Sequence, residues 1–177
     1  MKKTILLIAV VICIQVCKAQ RIIINDVVNI KVAKDARLVN KEDAIDFANK
    51  KFHNEKNALD NVKDLTKNNT YIIDDVLISL FHGTTKRDGS YLLELKKGLD
   101  AMNERDKSYS SFIKTVNANN VLVTNDTWRG VGYYRFFCYN GSYTHNLRGV
   151  LEYDSAEKDK ATSILNDILA NVKFKVE

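Results

Sequence analysis

Residues 128–153 read WRGVGYYRFFCYNGSYTHNLRGVLEY, and this stretch decides the fold. Two alternating runs flank Asn140-Gly141. Asn-Gly in that setting is the strongest short hairpin signal, because a type I′ turn needs positive φ at both central residues. A two-residue loop predicts Tyr139 opposite Ser142, Cys138 opposite Tyr143, and so on outward. One face then carries Trp128, Gly130, Gly132, Tyr134, Phe136 and Cys138, opposed by Tyr153, Leu151, Gly149, Leu147, His145 and Tyr143. It is almost wholly apolar and is predicted to be core. The reverse face pairs Arg129 with Glu152, Val131 with Val150, Tyr133 with Arg148, Arg135 with Asn146 and Phe137 with Thr144. Opposite charges at Arg129 and Glu152 would favour this register by roughly 0.2–1 kcal/mol. A slip of one residue would send Arg148 and Glu152 into the core.

Upstream of the hairpin, Val28, Ile30 and Val32 alternate with Asn29 and Lys31 as in a half-buried strand. Asn40 caps a helix from Lys41 to about Asn54, with Glu42 and Asp43 in its first turn, where the helix dipole favours them. Residues 55–69 are polar and read as a loop, with room for a helical turn at Ala58–Leu65. Tyr71–His82 reads as one strand covered on both sides. A second helix is expected over Ser90–Asp106, with Leu92, Leu95, Leu99 and Met102 as its apolar stripe. Ser111–Val116 and Val121–Asn125 are strands joined by an Asn-rich turn. Downstream, Asp154 with Glu157 resembles a capping box. Ala161, Ile164, Leu165, Ile168 and Leu169 form an amphipathic face, and Val172, Phe174 and Val176 suggest a last short strand. The fold class is α+β, an antiparallel sheet with helices on its faces.

The first 19 residues read as an export signal. Lys2 and Lys3 precede an apolar run, Ile5–Ile14, that is shorter than the about 20 residues a spanning helix needs. Cys17-Lys18-Ala19 presents small residues where a signal peptidase reads them. Cleavage after Ala19 leaves a single domain of residues 20–177, exported to the periplasm or beyond, with no transmembrane span. A lipoprotein anchored at Cys17 is the rival reading, weakened by bulky Val16 at a position that favours a small residue. Loss of Lys2, Lys3 and Lys18 takes 27 basic residues to 24 against 22 acidic ones, so the net charge falls from +5 to +2. The apparent basicity is mostly the leader, and a nucleic-acid partner loses its main support. Cys138 is then the only cysteine, so the domain must be held by its core.

Catalytic constellations are sparse. Cys138 and His145 fall on one face of the predicted hairpin, about 7–8 Å apart as diagonal neighbours. A cysteine nucleophile needs closer histidine contact and an electropositive, partly exposed setting. Both residues are therefore read as core. His53, His82 and His145 lie on separate elements, so no metal site is expected, and Asp74-Asp75 reads as a strand irregularity. Arg129-Gly130-Val131-Gly132 is too short for a dinucleotide glycine pattern, and no other cofactor motif is present. Asn68-Asn69-Thr70, Asn125-Asp126-Thr127 and Asn140-Gly141-Ser142 fit the glycosylation sequon but read as turns behind a bacterial-looking signal. Two candidate binding features remain. Gly132 and Gly149, opposed in the predicted register with Gly130 beside them, would leave a notch for a helix or a small apolar ligand. On the reverse face Tyr133, Arg135, Phe137, Tyr139 and Arg148 mix the aromatic and arginine side chains that dominate interface hot spots.

Three stretches carry a family resemblance. Val28-Asn29-Ile30-Lys31-Val32-Ala33-Lys34-Asp35 is similar to the opening strand of the PsbP-like superfamily, and Asn40-Lys41-Glu42-Asp43 to the start of its first helix. Ile164–Phe174 resembles its terminal helix and ending, with Ala-Asn-Val-Lys-Phe where Ser-Ile-Lys-Phe is usual and Ala33 where proline is usual. The superfamily includes an extrinsic photosystem subunit, a Ran-binding nuclear import factor and many exported bacterial proteins. The resemblance implies a three-layer α/β/α sandwich and mostly non-enzymatic roles in binding or assembly. It transfers no functional residue, because the family has no shared catalytic motif. The reading is therefore an exported, non-enzymatic accessory protein of the bacterial cell envelope that binds a protein partner through a sheet face, without cofactor or metal. A carrier of a small apolar or lipidic ligand is the alternative, and a Cys138-dependent enzyme a remote one.

Overall fold

The computed structural model describes residues 20–24, 28–32, 35–52 and 69–175. The signal segment, Cys17, His53, the Ala58–Leu65 turn and Val176 lie outside them. A seven-stranded, wholly antiparallel sheet runs in the order β3 (Arg37–Val39), β4 (Thr70–Ile73), β5 (Val76–Gly83), β9 (Asn146–Asp154), β8 (Val131–Tyr139), β7 (Asn119–Trp128), β6 (Ser110–Val116). A second sheet joins β1 (Gln20–Ile24), β2 (Val28–Val32) and β10 (Lys173–Phe174).

The main core lies between one face of the large sheet and α3 (Lys158–Asn171) with β2. The amphipathic face read from the sequence is the buried one: Ala161, Ile164, Leu165, Ile168 and Leu169. Asp154 accepts from the Ala156 amide at 2.9 Å and starts a short 3-10 turn, Ser155–Glu157. The expected capping box is not formed, because Glu157 pairs with Lys160 at 3.0 Å instead.

The opposite face carries two helices. α1 (Lys41–Phe52) begins where Asn40 accepts from the Asp43 amide at 2.8 Å, and it packs Ala44, Ala48 and Phe52 near Ile72, Leu77 and Tyr133. α2 (Tyr91–Met102) covers Leu122 and Tyr139. It is shorter than the periodicity predicts. Asn103 ends it by donating from Nδ2 to the Leu99 carbonyl at 2.7 Å. Leu92 is its only fully buried side chain, and Met102, expected in the stripe, stands 82% exposed past the edge of the contact. The coarse expectation of an antiparallel sheet with helices on its faces holds.

The turns differ from the sequence reading. Tyr71–His82 is two strands folded at Asp74-Asp75, where φ is 45° and 68°. Asn117-Ala118 (49° and 64°) and Arg129-Gly130 (50° and 82°) turn the next two hairpins. All three place positive φ at both central residues, as tight hairpins require. Asn140-Gly141, with the strongest signal, does not form a two-residue turn. β8 and β9 pair Tyr139 with Asn146, so residues 140–145 make a six-residue loop. The Asn140 side chain organises it. Its Oδ1 accepts from the amides of Thr144 (2.8 Å) and His145 (3.0 Å), and its Nδ2 donates to Ser142 Oγ (3.0 Å) and Thr144 Oγ1 (2.9 Å). Tyr143 stacks on Tyr139 with ring centroids 5.5 Å apart, and its carbonyl accepts from the Arg87 amide at 2.9 Å. Those contacts hold the loop open against the propensity of Asn-Gly.

The register is thereby displaced by four residues. An even displacement keeps the paired residues of β8 and β9 on their expected faces but changes their partners. Trp128 and Tyr143, expected on the core face, do not stay there: Trp128 belongs to β7, where it opposes Val131 and is 43% exposed, and Tyr143 packs in the α2 cluster on the reverse face. Tyr133 opposes Glu152, Arg135 opposes Val150 and Phe137 opposes Arg148. Arg129 lies in the β7–β8 turn, so the expected Arg129–Glu152 pair does not exist.

Candidate functional site

The face under α1 and α2 is apolar at both ends and polar across its middle. Thr70, Ser79, Val150, Arg135, Thr124 and Ser111 oppose one another in succession from β4 to β6. One step toward α1 lie Glu152 and Tyr133, and one step toward α2 lie Arg148 and Phe137. The band therefore falls between the two helix-covered clusters.

Arg135 is its centre. Nη1 makes a close ion pair with Asp126 Oδ1, and the guanidinium carbon stands 5.2 Å from the Tyr133 ring centroid. The side chain is still 42% exposed, so its charge is oriented but accessible to a partner. Arg148 is exposed beside it. Glu152, by contrast, is only 4% exposed. Its Oε2 has no hydrogen-bond partner among the described residues. Burial pushes its carboxyl up to about 7, and the Arg135 charge works in the opposite direction.

Of the five side chains singled out from the sequence, the structure brings all to this face but divides them. Tyr133 is buried in the α1 cluster, and Tyr139 and Phe137 pack in the α2 cluster. Only Arg135 and Arg148 project between the helices. The aromatic residues do not form an open surface, because layer packing has claimed their rings. Asp126 and Glu152 belong to the site and were not singled out. Their alternation with Tyr133 and Arg135 across three strands was the available signal, hidden for Glu152 by the expected pairing with Arg129.

The glycine notch is not open. Gly132 opposes Tyr153 and Gly149 opposes Phe136, so the glycines do not face each other. A Cβ on Gly132 would lie 2.3 Å from Tyr153 Cε2, and one on Gly149 would lie 2.2 Å from Phe136 Cε1. An aromatic ring fills the space over each. Gly130 sits in the β7–β8 turn with nothing within 4 Å.

Cys138 is fully buried opposite Leu147, and desolvation pushes its thiol up to about 12. His145 lies in the loop, with Nδ1 3.0 Å from Thr144 Oγ1, and no longer belongs to the ladder. Asp75 sits in the β4–β5 turn and bonds Lys51 of α1 at 3.1 Å. Asn125, read from the sequence both as the end of a strand and as the start of a turn sequon, is inside β7. It is buried, and its Nδ2 donates to the Tyr153 hydroxyl at 2.7 Å. Among the described residues no group of three His, Cys, Asp or Glu side chains is placed to hold a metal ion, and no helix is long and apolar enough to cross a membrane. The chain matches no protein-family model and no curated protein.

Proposed function

We propose that the protein is an exported, non-enzymatic accessory protein of the bacterial cell envelope that binds a protein partner between α1 and α2, through Arg135 and Arg148. The observation that carries this reading is the polar band. Two helices cover the ends of one sheet face, and the arginines project from its middle. The Tyr133 ring and the Asp126 carboxylate orient the Arg135 guanidinium, which lowers the ordering cost of binding there. The thiol of Cys138 is a poor nucleophile in its buried setting, which favours binding over catalysis.

The PsbP-like sandwich is the finer fold reading. Its support is the three-layer arrangement and one pairing. The opening strand pairs with the chain's closing stretch, Lys173 with Asn29 and Phe174 with Val28. These are two of the stretches that carry the resemblance. Export is supported by the leader pattern of residues 1–19.

The test is charge reversal. Arg135→Glu with Arg148→Glu should abolish recovery of the partner from an envelope extract. Arg148→Glu alone, which leaves the Asp126 pair intact, should weaken it. Undiminished recovery with both variants removes this face as the binding surface.

A further inference from the structure

The two edges of the large sheet are not alike. β3 spans three residues and begins with Arg37, and a short, charged edge offers little to pair with. β6 spans seven residues, without proline, glycine or bulge, and pairs with β7 in unbroken register from Ser110–Asn125 to Val116–Asn119. Phe112 (44%) and Ile113 (40%) stand exposed on its two faces.

The turn at Asn117-Ala118 decides which backbone groups face outward. In a two-residue hairpin the flanking residues, here Val116 and Asn119, form a hydrogen-bonded pair. Alternation then commits Lys114, Phe112 and Ser110 to β7, and leaves the N–H and C=O groups of Thr115, Ile113 and Ser111 pointing away from the sheet.

We propose that β6 pairs antiparallel with β6 of a second copy of this chain about a two-fold axis at Ile113. The strand is self-complementary there. Ile113 is the middle of the seven residues, so every residue gains a partner. It is also outward-facing, so Ile113 and its counterpart exchange both hydrogen bonds. Ser111 falls opposite Thr115, and Ile113 buries against itself. On the other face Phe112 falls opposite Lys114 twice. Within one chain Lys114 Nζ already stands 5.7 Å from the Phe112 ring centroid, and the pairing adds a second cation–π contact across the axis. A shift that centres the axis on Lys114 would instead oppose two lysines, which is unfavourable. Isologous pairing of this kind closes the edge and ends assembly at two copies.

The experiment combines mass in solution with oxidative cross-linking of the full chain. The parent should sediment as a concentration-dependent dimer. Ile113→Pro removes an outward N–H without touching the β7 ladder, and should sediment as a monomer with an unchanged far-UV spectrum. Ile113→Cys should form a disulfide-linked dimer on mild oxidation, because Cα atoms of a hydrogen-bonded pair stand about 5.5 Å apart, within disulfide reach. Phe112→Cys, offset from its own counterpart, should remain at the parent's background. A monomeric parent, a dimer that survives Ile113→Pro, or cross-linking at 112 equal to that at 113 overturns the proposal. If Ile113→Pro fails to fold, the two cysteine variants decide it.

Discussion

Phe136 lies with its ring over Gly149, the residue directly opposite it on β9. Tyr153 covers Gly132 in the same way. Each glycine is the floor on which an aromatic core side chain rests. Gly149→Ala and Gly132→Ala should each cost about 1–3 kcal/mol through overpacking. Gly98→Ala is the contrasting case. It lies within α2, with nothing within 4 Å of the added Cβ, and should gain about 1 kcal/mol. Urea denaturation of the three variants checks both signs.

Glu152 should make stability depend on pH. Its ordinary value is 4.5, and burial raises it to about 7 in the folded chain. The folded state therefore binds the proton more tightly than the unfolded state. The stabilising contribution is fully present below 4.5 and is lost as pH rises through about 7. Glu152→Gln mimics the protonated carboxyl at every pH. Relative to the parent it should be nearly neutral below 4.5 and more stable, by up to about 3 kcal/mol, well above 7. Thermal or chemical unfolding across that range is the measurement. A constant difference would assign the band another source of pH dependence.

Asn140 should matter more to the hairpin than Gly141. Asn140→Ala removes two acceptors of backbone amides and two side-chain contacts, and should cost about 1–3 kcal/mol. Asn140→Asp keeps the acceptors and should lose less. Hydrogen exchange at the Thr144 and His145 amides should quicken in the alanine variant and stay slow in the aspartate one.

Cys138 should resist thiol reagents in the folded chain and react on unfolding, because it is fully buried and its thiol is held up to about 12. Labelling followed by mass spectrometry with and without denaturant reads this directly. Fast labelling of folded protein would reopen thiol chemistry.

Much of this architecture is legible in residue pattern. Alternation assigns the residues of β8 and β9 to their correct faces, although not Trp128, and the periodicity of Ala161–Leu169 identifies the buried side of α3. Pattern fails where tertiary contacts outweigh local preference. Asn140-Gly141 has the chemistry of a tight turn, yet here Tyr143 stacks on Tyr139 and the Asn140 side chain bonds the Thr144 and His145 amides within a six-residue loop. Asp74-Asp75 has no glycine, yet it turns a strand that reads as continuous, helped by the bond from Lys51 to Asp75. The site suffers from the same displacement. Moving each partner by four residues separated Glu152 from Arg129 and brought it beside Tyr133, where it is buried.

A protein partner held in the band between α1 and α2 would lie against Val150, which opposes Arg135 in the ladder and is half-buried. The direct measurement puts a photo-reactive residue in place of Val150, with both arginines kept, in cells that produce the protein. Ser163, exposed on α3 on the far side of the sheet, serves as the reference position. A discrete covalent adduct with one protein from position 150, absent from position 163, is the expected result. No adduct at 150, or the same adducts from both positions, would contradict the proposed partner site.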